Sequence, residues 1–170
     1  MSIAGAGVIG TGATDTTHPP SDPSAQRSAW LIALAGVGLI GYGIIFLVVN
    51  FTTFIELGLG ETEVGVTNAT VLAFSEKYYH YVSHLQVALS GFIAATGVAL
   101  VAFALCGIRR GEQWAFWSSV ATAVTGVAVA LPLHYPWGLA TIGHLGLIYL
   151  DLAVFAAGFL YGLRARYRTA

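Results

Sequence analysis

Charge is what this sequence has least of. Asp, Glu, Lys and Arg make up 9% of its 170 residues, and apolar residues make up 56%. A soluble domain carries charge on roughly a quarter of its residues. With so few, a soluble fold would present wide apolar patches to water and aggregate. That excludes the soluble class and leaves lipid as the solvent. Lysine is nearly missing: Lys77 stands alone beside six arginines, with Ala, Gly and Val abundant. This composition suits a GC-rich prokaryotic genome. At a formal net charge of −1 there is no basic stripe to neutralise phosphates, so a nucleic-acid partner is not expected. The single cysteine, Cys106, excludes an internal disulfide and a CxxC redox pair. HExxH and GxSxG are both missing, which removes zincins and α/β-hydrolases. No lysine lies within an apolar run to form a retinal Schiff base. Neither a ring of charges nor a carbonyl filter for a channel is visible.

What is present is four long apolar runs. They lie at about 30–49, 79–106, 114–133 and 142–163. Each is long enough to cross a bilayer core, which takes roughly 20 residues. Residues 1–28 are rich in Gly, Thr, Ser and Pro and read as a disordered cytoplasmic tail, with Asp22-Pro23 as a helix breaker. Gly5-Ala6-Gly7-Val8-Ile9-Gly10 spells GxGxxG. That motif binds a dinucleotide only between a buried strand and a helix. Nothing here supplies either, so no nucleotide is expected. The first run lacks a lysine-rich start and a small-x-small cleavage site, and reads as a retained helix rather than a signal peptide. Residues 50–77 form the longest loop, where Thr67 or Asn68 is placed to cap a short interfacial helix. The chain therefore reads as all-α: a 29–168 transmembrane domain forming an antiparallel, up-down four-helix bundle.

Orientation follows from the arginines. Arg27, Arg109, Arg110, Arg164, Arg166 and Arg168 fall on one side if the helices alternate, and only Lys77 falls on the other. The positive-inside rule then makes both termini cytoplasmic and the 50–77 and 134–141 loops extracytoplasmic. The expected location is the prokaryotic cytoplasmic membrane, crossed several times. Helix association in lipid relies on small residues. Suitable stripes are Gly36, Gly38, Gly41 and Gly43; Ala88, Gly91, Ala95 and Ala99; and Ser118, Thr122, Gly126 and Ala130.

Four histidines, His80, His84, His134 and His144, lie toward the extracytoplasmic side. His80 and His84 share a helix face, which Glu76 extends. The same face carries Ala88, Gly91 and Ala95, so it is expected to point into the bundle. Asp151 is the one acid deep in a span, and an isolated carboxylate there is costly. Counting from the helix ends places it level with His84, as an interhelical buried polar pair. His80, His84 and His144, with Glu76, are the expected cofactor or metal ligands. Imidazole serves transition metals and b-type haem alike. His134, beside Pro132 and Pro136 at a helix end, is the expected structural cap.

Arg109 and Arg110, followed by Gly111-Glu112-Gln113-Trp114-Ala115-Phe116-Trp117, resemble an RxGxxWAxW element of a broad group of small four-helix prokaryotic membrane proteins. The resemblance continues through Gly126, His134-Tyr135, Gly138 and His144-Leu145, covering about Gly107 to Leu163. It implies the four-helix fold and draws attention to His134 and His144. Where that group has a His-Asp-Arg element, this chain reads Tyr79-His80-Tyr81-Val82-Ser83-His84. Three functional readings follow. One is a haem- or metal-binding redox component. The second is a non-catalytic accessory or assembly subunit among other membrane subunits or in a homo-oligomer. The third is a lipid- or quinone-binding membrane enzyme using Asp151 and His84 as acid and base.

Overall fold

The computed structural model describes residues 22–167 except residue 54. The GxGxxG stretch, His18, Arg168 and most of the expected tail lie outside them. Helix α1 spans Pro23–Thr52, 30 residues. Asp22 caps it, its carboxylate accepting from Ser24 N at 2.9 Å, and Pro23 occupies the first turn. Asp22-Pro23 therefore starts the helix rather than breaking it. Proline has no N–H to leave unsatisfied there, and its φ already suits a helix. The tail expectation is corrected accordingly: residues 23–28 belong to α1.

Two short helices follow, α2 (Glu61–Val64) and α3 (Asn68–Phe74). Thr67 caps α3 as expected, accepting from Thr70 N at 3.2 Å, while Thr70 Oγ1 accepts from Thr67 N at 2.8 Å. Helix α4 (Glu76–Ala102) continues through a π-turn (Phe103–Gly107) and a 3-10 turn (Ile108–Arg110). Gly111, at φ 83, ends it in the left-handed region that glycine favours. Helix α5 is Gln113–Ala130, followed by a 3-10 turn at Pro132–His134, and α6 is Ile142–Tyr167. There is no strand among the described residues. The four long helices are all long and apolar enough to cross a membrane.

Helix α1 is the spine, with α4 and α6 both lying along it. Both pairings run antiparallel. On α4, Ser83 meets Asn50, Ser90 meets Gly43 and Gly97 meets Gly36. On α6, Asp151 meets Gly38 and Gly158 meets Ile32. The α1–α4 approach is very close. A Cβ on Gly36 would sit 2.7 Å from Gly97 O, and one on Gly43 would sit 2.8 Å from Ser90 O. Small residues permit this contact, and in lipid such contact is the main source of helix association.

The stripe on α4 that makes this contact is Ser83, Ser90, Ala94 and Gly97. The expected stripe, Ala88, Gly91 and Ala95, is turned about 100° away, one residue round the helix. His80, His84, Gly91 and Ala95 are exposed, and a Cβ on Gly91 would touch nothing. The α5 stripe also differs from expectation. Gly126 and Ala130 are exposed, and α5 packs instead through Ala115, Phe116 and Ser119. Gly107 lets Ala115 approach the end of α4, and Phe116 stacks on Phe159 of α6 at 5.6 Å. The core therefore sits at the arginine end, around Ile32, Leu100, Ala104, Ile108 and Phe116.

Candidate functional site

The polar residues sort into two places. The first is a latch at the end opposite the arginines. After α1 the chain turns back, and Gly58, at φ 75, lies flat on α6. A Cβ there would overlap the Gly143 carbonyl and His144 N, so only glycine fits. Thr141 Oγ1 donates to Gly58 O at 3.1 Å and accepts from His144 N at 3.1 Å, serving as the α6 cap. His144 is 2% exposed. Its Nδ1 donates to Leu57 O at 2.9 Å, because a carbonyl can only accept. Its Nε2 has no hydrogen-bond partner and faces Glu56 Oε2 at 3.4 Å. With Nδ1 committed to Leu57 O, Nε2 is the ring atom that meets the Glu56 carboxylate.

His134 stacks on His144, the rings 5.2 Å apart and 29° from parallel. Its Nδ1 donates to Ala130 O at 2.8 Å, the helix-end contact expected of a cap. Tyr135 and Tyr149 join hydroxyls at 2.9 Å, tying the same loop to α6. His134, His144 and Glu56 are the nearest approach to a ligand set. Even so, no three His, Cys, Asp or Glu side chains stand at metal-binding spacing among the described residues.

His80 and His84 are elsewhere. His80 edges onto Tyr79, with ring centres 5.9 Å apart. His84 is exposed, and no hydrogen bond or ion pair joins it to a described residue. Glu76 is exposed in the first turn of α4, where a carboxylate favours the helix dipole.

The second place is Asp151. It packs against Gly38, where a Cβ would overlap its Oδ1. Gly38 is at the middle of α1. No hydrogen bond or ion pair joins Asp151 to His84, and the two are not level. Ser83 is abreast of Asn50 and Asp151 of Gly38, twelve residues apart on α1, or about 18 Å at 1.5 Å per residue. Counting from helix ends fails because α4 begins beyond the end of α1. By the Gly38 register, Ile142 begins level with about Leu47. The fold-back of the 53–60 loop hides this offset in the sequence.

Asp151 lies in a groove of about 430 Å³ between α1 and α6, lined on α1 from Leu34 to Ile45 and on α6 from Leu147 to Val154. Its lining is almost wholly apolar apart from Asp151 and Tyr42. Glu56 and Gly58 are site residues that sequence reasoning missed, and Gly38, expected only as part of a packing stripe, is the contact of Asp151. An acid next to an apolar pair and a glycine carries no long-range signal. The chain matches no protein-family model, no curated protein and no solved structure.

Proposed function

We propose that this chain is a non-catalytic accessory subunit of a larger membrane assembly. In this reading it is a multi-pass bundle in a prokaryotic cytoplasmic membrane, with both termini cytoplasmic and the Glu56–His144 latch outside. The arginine asymmetry supports that orientation. Asp151 carries the functional reading. A carboxylate at mid-span costs several kcal/mol unless something pairs with it, and no Lys or Arg among the described residues lies beside it. Between Arg27 and Arg109 the only Lys or Arg is Lys77, and between Arg110 and Arg164 there is none. The site is incomplete on one chain, which favours a subunit over a self-contained enzyme.

The redox-centre reading draws less support. His144 is engaged with Leu57 O, while His80 and His84 stand out from the body of the protein. The acid–base enzyme reading needs Asp151 beside His84, and these residues lie about 18 Å apart in level.

The test is mild-detergent extraction from the native membrane, followed by native electrophoresis and an absorption spectrum before and after dithionite. The expected outcome is migration with a larger species and no Soret band. A Soret band that shifts on reduction and is lost in His144→Ala would overturn the proposal in favour of haem.

A further inference from the structure

We infer that the α1/α6 groove seats a transmembrane helix of a partner protein, and that a lysine or arginine at the middle of that helix pairs with Asp151. This rests on the accessory-subunit reading and adds the docking face and the partner's chemistry. Three observations carry it.

The first is shape. The groove runs along α1 from Leu34 to Ile45, about three turns, and along α6 from Leu147 to Val154. It follows the two helices lengthwise, as a third helix would. The second is the floor. Gly38 and Gly41 both line it, and a Cβ on Gly41 would meet nothing within 4 Å. On the opposite faces of α1, Gly36 and Gly43 are filled by α4. Gly41 is thus a glycine whose close-packing surface is unused by its own chain. The third is charge. The groove holds one carboxylate level with the midpoint of α1, and no Lys or Arg among the described residues lies at that depth. The described residues of a second copy bring none either, since Arg27, Arg109, Arg110, Arg164 and Arg166 lie toward helix ends and Lys77 lies in the first turn of α4. A partner with a mid-span basic residue meets both requirements. Its apolar faces fill the groove, and its cation removes the cost of burying the carboxylate.

The test uses the intact chain reconstituted in lipid vesicles. The probe is a synthetic oligo-leucine helix of roughly 20 residues with one central lysine. Control helices carry leucine or glutamate at that position. Association is read by energy transfer between a label on the probe and one on the protein. The lysine helix is expected to bind and the controls are not. Asp151→Asn, close in shape to the native residue, is expected to weaken binding about tenfold. Gly41→Leu fills the seat without touching its own chain, and is expected to weaken binding with Asp151 intact.

Equal binding of the lysine helix to wild type and Asp151→Asn overturns the proposal, as does no binding to wild type. Energy transfer between two labelled copies that Asp151→Asn abolishes would assign the groove to a homodimer. Displacement of the lysine helix by dodecylamine at equal mole fraction in the membrane would assign it to an amphiphilic amine. Either result overturns the partner-helix assignment. Loss of the groove proposal while the chain still migrates in a larger complex leaves the accessory reading standing. Loss of that complex in wild type removes both.

Discussion

The two ends of this protein are built differently. At the arginine end, side chains interlock. Phe116 lies flat on Phe159, Arg166 sits 3.7 Å over the Phe116 ring, and Gly162 makes room for Phe116 and Ser28. Arg27 and Arg164 both lie over Tyr161, and Arg109 lies over Trp30. At the other end the helices hold one another through backbone groups and a few polar side chains, and the last turns of α5 are mostly exposed. In its apolar stretch 11% of α5 is buried, against 39% of α1. One end is held by packing, which in lipid is the main attractive term between helices. The other is held by directed polar contacts, which a single substitution can release. The difference suggests a rigid anchor at the arginine end and a responsive surface at the other.

Substitutions in the packed stretch from the middle of α1 to the arginine end should have the largest effects. Gly36→Leu forces a side chain against Gly97 O and Val101, and is expected to cost about 3 kcal/mol or more. Phe116→Ala removes a fully buried ring and should cost roughly 3 kcal/mol. Both are measured by SDS-induced unfolding in mixed micelles. If either is neutral, the arginine end is not the anchor.

The latch comes next. Gly58→Ala is expected to cost roughly 1–3 kcal/mol, because the left-handed conformation and the contact with Gly143 both exclude a Cβ. His144→Ala loses the bond to Leu57 O, at about 1 kcal/mol. Its clearer signature is faster hydrogen exchange across residues 53–66 with no change at the arginine end. Glu56→Gln can still donate to His144 Nε2, which lies 3.4 Å from the native carboxylate, so it should keep most of the protection across that loop.

The smallest effects are expected at Gly91 and Gly126, where a Cβ would meet nothing. Replacing either by Ala should stabilise by about 0.5–1 kcal/mol through helix propensity alone. Marked destabilisation at Gly91 would mean that the expected stripe packs against something after all.

Much of this was legible from residue types alone. Few charges and four apolar runs specify spanning helices, because only a helix satisfies its own backbone in lipid. Thr67 as a cap was readable for the same reason: a cap acts within four residues of itself. The α4 contact face was not readable. Small residues occur on both sides of that helix, Ala94 and Gly97 on one and Ala88, Gly91 and Ala95 on the other, and a step of one residue exchanges one stripe for the other. Here Ser83, opposite Asn50, belongs to the packed side, and His84 does not.

Sequence by itself determined that four helices are long and apolar enough to cross a membrane and that an acid sits within the last of them, since these depend on residue type and local spacing. Only the tertiary structure decided how far each helix slides along α1. That offset places His84 and Asp151 at different depths and sets His144 on the 56–58 loop. Helix register in lipid is chosen by which small residues meet, and such contacts join positions such as Gly36 and Gly97 that no local pattern connects.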